Sequence, residues 1–138
     1  MIVLDTNVIS ETMRVSPDAN VMTWLNEQHL ASLWLSTISV AELRFGAARL
    51  PDSKRRNALV ERINVAITTI FTDRIAPFDS AAASAFADHA AVAEARGERV
   101  EFADGAIAAI ALAKGFAVAT RDTAPFKAMG VEIINPWS

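Results

Sequence analysis

The sequence has no cysteine, no long hydrophobic run and no excess of basic residues. Without cysteine, a disulfide scaffold, a thiolate metal site and a cysteine nucleophile are all excluded. The most apolar stretch, residues 106–113, is far shorter than the roughly 20 residues that span a bilayer. The first residues carry no basic region of the kind that opens a signal peptide. We therefore expect a cytoplasmic protein that makes no use of a membrane.

The chain has 138 residues, of which 52% are hydrophobic, and this excludes a disordered chain. Its length predicts a single domain over residues 1–138 with a sizeable core. The 13 basic residues are outnumbered by 16 acidic ones, for a net charge of −3. That balance argues against a generic binder of polyanions, which is normally basic.

Short apolar segments alternate with longer segments of helical periodicity. The strands are predicted at residues 2–4, 33–36, 75–78, 116–119 and 131–134. The helices are predicted at residues 6–14, 16–29, 39–50, 52–71, 80–96, 103–114 and 125–129. Because the strands are too apolar to have a solvated face, the pattern predicts a parallel sheet covered on both sides. The expected fold is a three-layer α/β/α sandwich with about five strands.

Four acidic residues fall where such a fold binds ligands, beyond the carboxyl ends of its strands. Asp5 ends the first strand and Asp122 follows the fourth. Asp104 begins the helix that leads into the fourth strand, and Glu42 lies in the first turn of the helix after the second. Carboxylates gathered at one edge repel each other unless a cation neutralises them. A ligand set made only of oxygen suits Mg²⁺ or Mn²⁺.

Each acid also has a purely structural interpretation. Asp104 fits a residue that complements a helix dipole, and Asp122 fits a turn residue. Glu42 fits the last position of a capping box that starts at Ser39. Asp79 precedes a predicted helix and is better explained as its N-cap. Asp5 has no such explanation, because nothing in strand propensity favours an acid directly after a buried strand.

Four segments together resemble the acidic motifs of PIN domains, in particular the toxin ribonucleases of the VapC type and their FitB-like relatives. The segments are Ile-Val-Leu-Asp-Thr-Asn at 2–7, Thr-Ile-Ser-Val-Ala-Glu-Leu at 37–43, Ala-Asp-Gly-Ala-Ile-Ala-Ala-Ile-Ala at 103–111 and Ala-Thr-Arg-Asp at 119–122. The resemblance covers essentially the whole chain, with the motifs in order. One departure is Gly105, where the family more often has a larger residue.

The resemblance implies a metal-dependent endoribonuclease on a flavodoxin-like sheet with strand order 3-2-1-4-5. Asp5 and Asp104 would bind Mg²⁺ or Mn²⁺ directly, Asp122 directly or through water, and Glu42 would act through water and polarise the nucleophile. Three further residues would support the pocket by hydrogen bonding: Thr6, Asn7 and Thr120. The resemblance also implies a homodimer, held inactive by a small antitoxin that often binds DNA. With four of the 16 acids gathered in one site, the 12 that remain are fewer than the 13 bases.

Basic residues are concentrated after the second motif. Six of them lie within nineteen residues: Arg44, Arg49, Lys54, Arg55, Arg56 and Arg62. They fit either RNA phosphate contacts, for which Arg44 and Arg49 are the candidates, or a solvated helix face. Arg121 could equally reach a phosphate or pair with an acid. His29 and His89 have no partner at metal-ligand spacing, and we expect neither to be catalytic. Apolar positions around Trp24 and on the helix that includes residues 59–70 are candidates for a dimer or antitoxin surface.

Two other functions remain open from the sequence. In a phosphatase similar to haloacid dehalogenases, Asp5 would be the nucleophile, but that family has a second acid where this chain has Asn7. A non-catalytic subunit would keep the PIN fold and bind without turnover. Divalent metal binding would argue against the non-catalytic subunit, and a phosphorylated Asp5 would revive the phosphatase.

Overall fold

The computed structural model describes every residue from Met1 to Ser138 and contains five parallel strands flanked by seven α-helices. The strands are β1 (Ile2–Leu4), β2 (Leu33–Ser36), β3 (Ile75–Ala76), β4 (Ala117–Ala119) and β5 (Ile133–Ile134). The helices are α1 (Thr6–Thr12), α2 (Ala19–Glu27), α3 (Thr37–Ala48), α4 (Lys54–Val65), α5 (Ser80–Ala95), α6 (Phe102–Lys114) and α7 (Thr123–Met129). None of these helices is long and apolar enough to cross a membrane.

The strand order in the sheet is β3-β2-β1-β4-β5, which confirms the predicted fold class and order. The chain moves outward on one side of β1 through β2 and β3, then returns to the other side for β4 and β5. The order in which strands are added to the sheet therefore reverses between β1 and β4. The crevice beyond the carboxyl ends of these two strands is the place where such folds bind ligands. A backbone hydrogen bond of 2.9 Å from Asp5 to Ala119 continues the pairing to the end of both strands.

Side chains that alternate along the strands build a core on each face of the sheet. Leu4 and Leu35 belong to a cluster on the face covered by α1, α2, α3 and α4. Val3 and Val118 belong to a cluster on the other face, which α6 and α7 cover. The predicted burial of the helix that starts near residue 103 is confirmed, because its residues from Gly105 to Ala111 are all buried. Burial on both faces accounts for strands without a polar side.

Several element boundaries differ from the prediction for local reasons. The strand predicted at 75–78 ends at Ala76, because Pro77 has no N–H to continue the ladder. The second helix ends at Glu27 rather than near residue 29, and Leu30–Ser32 form a 3₁₀ turn. The helix predicted to reach residue 71 changes at Ala66 into one π-helical turn, closed by a bond from the Phe71 N–H to the Ala66 carbonyl.

The capping-box interpretation of Glu42 is wrong. Helix α3 begins at Thr37, and its N-cap is Ser36, whose hydroxyl accepts a hydrogen bond from the Ser39 N–H. Ser39 is therefore inside the helix and buried, and Glu42 lies beyond the first turn. By contrast, Asp79 is the N-cap of α5 as predicted, because its carboxylate accepts a bond from the Ala82 N–H.

Candidate active site

Asp5 is a buried carboxylate at the carboxyl end of the central strand. It is only 5% exposed, and its extended backbone makes it the N-cap of α1. One carboxylate oxygen accepts a 2.7 Å hydrogen bond from the Thr6 N–H, and the other accepts a 2.8 Å bond from the Thr120 hydroxyl. A buried charge needs such partners. The side chain of Asp5 is thus held beside the crevice between the carboxyl ends of β1 and β4.

Thr120 connects the two strands that flank this crevice. Its hydroxyl donates to Asp5 and accepts a 3.0 Å bond from the Asp122 N–H. The side-chain amide of Asn7 also points at it, at 3.5 Å. Thr120 is completely buried, so no water competes for these bonds. The three residues predicted to support the pocket, Thr6, Asn7 and Thr120, thus all lie against its acids or against each other.

Glu42 reaches the same edge from α3 and is held by hydroxyl groups. The Thr6 hydroxyl donates a 2.7 Å hydrogen bond to Glu42 Oε1 and lies 2.8 Å from the Ser39 hydroxyl. Because the single hydroxyl hydrogen of Thr6 is used on Glu42, Ser39 must donate to Thr6. Ser36 in turn donates to Ser39 over 3.4 Å. The three hydroxyls therefore form a directed chain that ends on one oxygen of an exposed carboxylate.

Asp104 lies in the first turn of α6, and close packing behind it holds that turn against α5. A Cβ atom on the next residue, Gly105, would lie 2.7 Å from the ring of Phe86. That ring in turn packs on two other aromatic rings, at 5.1 Å from Phe102 and 6.5 Å from Phe78. In this chain, the Phe86 ring occupies the space that a side chain at position 105 would need.

The pKa values show that the acids form one electrostatic unit. Burial raises the pKa of Asp104 to about 6, and the negative charges of Asp5, Asp122, Glu42 and Glu101 add to the effect. Burial also raises the pKa of Asp5, while its hydrogen bonds from Thr120 and Thr6 oppose the shift. The fold therefore brings the four predicted acids within electrostatic reach of each other, and the raised pKa values of Asp5 and Asp104 show a cost to the ionised forms of these two.

Asp122 follows β4 and is the N-cap of α7 by position, but its side chain makes no capping hydrogen bond. Its exposed carboxylate is therefore not used by the helix. The neighbouring Arg121 makes no ion pair with any acid, and its guanidinium lies 5.2 Å from the centre of the Trp137 ring. Of the two interpretations of Arg121, pairing with an acid within the chain is wrong.

The donor atoms at this edge are oxygens only. The Oδ1 atom of Asn7 is buried and has no hydrogen-bond partner, which is unusual for a polar atom inside a protein. No three acidic or histidine side chains are close enough together to enclose a metal ion by themselves. This is compatible with Mg²⁺, which keeps several water ligands and uses one or two carboxylates.

A cleft of about 800 Å³ opens beside Thr6 and Glu42, between α1, α3 and α4. Its floor is apolar and includes Leu43, Leu50 and Leu59. Its rim carries three arginines, which are Arg14, Arg55 and Arg62. The cleft thus offers apolar surface and positive charge next to one of the site acids.

The other two predicted basic contacts are Arg44, farther along α3, and Arg49, the C-cap of that helix. Arg44 donates a 3.1 Å hydrogen bond to Asn64, and the guanidinium of Arg49 lies 4.9 Å from the centre of the Phe45 ring. Arg44 is thus engaged in the packing of α3 on the segment after it. Neither histidine contacts the acidic site by a hydrogen bond or an ion pair.

Sequence reasoning missed two contributors to this edge. The sequence pattern predicts Ser39 as a helix cap, yet its hydroxyl supports Thr6. No sequence pattern indicates a role for Trp137, although it lies under Arg121. A serine inside an apolar helix was the only available signal for the first. Nothing local marked the second, since the contact depends on where the last residues of the chain fold back.

Comparison with known proteins places these observations in a family. The PIN domain family model matches residues 2–132. The chain is 50% identical over 137 residues to the VapC ribonuclease Y4jK of Sinorhizobium fredii, covering 99% of this chain and 98% of that one. It is 45% identical to the toxin FitB of Neisseria gonorrhoeae, covering 99% of each. The solved structure of FitAB bound to the IR36 DNA fragment is similar with a TM-score of 0.95 at 44% identity, covering 100% of this chain and 96% of that one.

Proposed function

This chain belongs to the PIN domain family, and from that premise we propose that it is the endoribonuclease toxin of a type II toxin–antitoxin pair. The reaction is hydrolysis of RNA phosphodiester bonds in the cytoplasm. The observation that carries the proposal is the convergence of four acids from four separate segments on the edge beyond β1 and β4. The names of two relatives, a VapC ribonuclease and a toxin, support the same activity.

The cofactor we propose is Mg²⁺ or Mn²⁺. Asp5 and Asp104 would bind it directly, Asp122 directly or through water, and Glu42 through water. The all-oxygen donors support this choice, and so does the pKa of Asp104, which is raised first by burial and then by the charges of the neighbouring acids; a bound cation would offset both effects. A bound divalent ion supplies charge stabilisation for a phosphoryl transition state and lowers the pKa of a water ligand.

The chain's own groups then orient the reaction. Glu42 Oε1 is occupied by the Thr6 hydroxyl, whereas Oε2 accepts no hydrogen bond from the protein. Oε2 is therefore the atom available to accept a proton from an attacking water. The hydroxyl chain from Ser36 through Ser39 and Thr6 holds this carboxylate in one orientation. Asp5 is fixed on both oxygens and acts as a rigid anchor.

We propose Arg121, Arg44 and Arg49 as RNA phosphate contacts. Arg121 is the strongest candidate, because it adjoins Asp122 and none of its N–H donors is used within the chain. Arg49 is also exposed and follows Glu42 by two helical turns. Arg44 would have to break its hydrogen bond to Asn64 before it could bind a phosphate.

The partner we propose is an antitoxin protein that also binds DNA. The similar structure of FitAB bound to a DNA fragment supports this choice. The cleft beside Glu42 is the surface it would cover, through a segment with apolar and acidic side chains. An Ala58→Arg variant, in the lining of the cleft, should abolish inhibition of RNA cleavage by the antitoxin. Ala87→Arg, on exposed α5, is the matched control and should remain inhibited.

A homodimer is the oligomeric state we propose. Phe45 and Phe102 are 63% and 57% exposed, more than is usual for large apolar side chains. Light scattering during size-exclusion chromatography of the purified chain should give twice the monomer mass. A monomer mass at all concentrations would contradict this part of the proposal.

The activity is tested with antitoxin-free protein, added Mg²⁺ or Mn²⁺, and RNA. Asp5→Asn and Asp104→Asn should each lower cleavage by at least about 100-fold, because each removes a direct metal ligand. The matched control Asp88→Asn, an exposed acid on α5, should cleave like the unchanged protein. Cleavage that survives both site substitutions, or that resists a chelator, contradicts the proposal. RNA binding without any cleavage would favour the non-catalytic subunit.

A further inference from the structure

Arg121 and Trp137 form a contact at the edge of the acidic site. The guanidinium carbon of Arg121 lies 5.2 Å from the centre of the Trp137 ring, within the range of a cation–π interaction. Arg121 is exposed and takes part in no ion pair within the chain. Its position is therefore set by an aromatic face and not by an acid.

Trp137 is itself held in place on three sides. Its main-chain N–H donates a 3.0 Å hydrogen bond to the side chain of Asn135, and its main-chain carbonyl accepts a 3.1 Å bond from the side chain of Asn20 on α2. Its ring packs against the core cluster that includes Leu4. The last residues of the chain are thus bonded to α2 and packed on the core beside the sheet, which places the half-buried ring next to Arg121.

We propose that Trp137 is a positioning residue that holds Arg121 so that its guanidinium binds an RNA phosphate beside Asp122. The C-terminal segment Asn135–Ser138 is then part of the RNA-binding site. This inference rests on the proposed ribonuclease function and adds a residue to it.

The chemistry of the contact favours a phosphate. A cation–π interaction uses the charge of the guanidinium and leaves its N–H groups free for bidentate contact with oxygen. The four carboxylates repel an approaching RNA backbone, and a cation at their rim offsets that repulsion. An arginine that was already paired with an acid would have lost both capacities.

The test is a set of variants assayed for RNA binding in a chelator, so that no cleavage occurs. Fluorescence anisotropy of a short, labelled, random-sequence RNA gives the dissociation constant. Arg121→Gln should weaken binding about tenfold, the effect of one charged hydrogen-bonded contact. It should also lower the slope of log affinity against log salt by about 0.7, the value for one phosphate on a single strand.

Trp137→Leu keeps an apolar side chain but has no π face. It should weaken binding about 2- to 5-fold in the unchanged background and have no further effect on Arg121→Gln. Trp137→Phe should stay within about twofold of the unchanged protein. In the cleavage assay, Trp137→Leu should raise KM and leave kcat unchanged, which a general loss of structure would not do.

Lys114→Gln is the matched control. Lys114 also lies over a tryptophan ring, at 5.3 Å from Trp34, but at the opposite end of α6 from Asp104. The Lys114→Gln variant should bind RNA like the unchanged protein. Thermal unfolding should show that the Trp137→Leu and Trp137→Phe variants are folded at the assay temperature, and if the leucine variant does not fold, Arg121→Gln and its salt dependence carry the test.

Three results would overturn the inference. The first is RNA binding by Trp137→Leu that equals that of the unchanged protein. The second is an effect of Trp137→Leu that adds fully to that of Arg121→Gln. The third is loss of antitoxin inhibition in Arg121→Gln with RNA binding intact, which would assign the arginine to the protein partner. Failure of the ribonuclease function would show separately, as cleavage unaffected by Asp5→Asn.

Discussion

The hydroxyl of Thr120 donates a 2.8 Å hydrogen bond to Asp5, across 115 residues of sequence. The same oxygen accepts the Asp122 N–H at 3.0 Å. One buried threonine thus connects two of the four acids and sets the distance between the loops that follow β1 and β4.

Replacing Thr120 by valine tests that connection. Valine has nearly the same shape, but it leaves Asp5 and the Asp122 N–H without their partner in a buried place. The free energy of unfolding should fall by about 2 kcal/mol in urea denaturation. RNA cleavage should need about 10- to 100-fold more metal, because a group that orients a ligand is lost. Thr120→Ser keeps the hydroxyl and should retain most of both properties; equal losses in the two variants would contradict the role of the bond.

Thr6→Val tests the hydroxyl chain that ends on Glu42. Without the Thr6 hydroxyl, the carboxylate loses its only protein hydrogen bond and can leave its rotamer. Cleavage should fall by about 10- to 100-fold. The control Thr12→Val removes a hydroxyl on the same helix that bonds only to the Ile9 carbonyl, and should have little effect on cleavage. Unchanged cleavage in Thr6→Val would exclude a function for the chain of hydroxyls.

The stability of the metal-free protein should depend on pH through Asp104. Its pKa is raised from 3.8 to about 6, so between these values the folded protein binds more protons than the unfolded chain. Stability from this group therefore falls as the pH rises from about 4 to about 6. Asp104→Asn removes the penalty, so its melting temperature in a chelator should exceed that of the unchanged protein at neutral pH. The difference should grow through this window and level off above it; a constant difference across the window would argue against the shifted pKa.

Gly105→Ala tests the packing behind Asp104. Alanine favours a helix by about 1 kcal/mol over glycine, but its Cβ would lie 2.7 Å from the Phe86 ring. Because overpacking costs about 1–3 kcal/mol, we expect a net loss of stability and a displaced Asp104 with weaker cleavage. Thermal unfolding and cleavage rates measure the two effects. The double variant with Phe86→Leu should recover both, and a Gly105→Ala protein that is more stable than the unchanged one would show that the ring yields easily.

The interpretation of individual acids shows where local sequence reasoning stops. For Glu42, Ser39 and the glutamate three residues later have the spacing of a capping box, yet Ser36 caps the helix. The error arose because capping patterns are local, whereas the hydroxyl that binds Glu42 comes from Thr6, 36 residues away. The π-helical turn after α4 is likewise not predictable from local sequence, because it depends on how the end of that helix packs on the core at Ala66 and Phe71.

The amino-acid sequence by itself determined the parallel α/β architecture and the segments that carry the acids. Apolar strands that alternate with amphipathic helices have few ways to bury their surfaces. Strand propensity gives no reason for an acid such as Asp5 directly after a buried strand, so its position indicates a functional role. Only the tertiary structure decided how these acids are held: Thr120 between Asp5 and Asp122, Thr6 on Glu42, Phe86 behind Gly105 and Trp137 under Arg121. Hydrogen bonds and packing contacts between distant segments depend on distances of a few ångströms, and those distances exist only after the sheet has assembled.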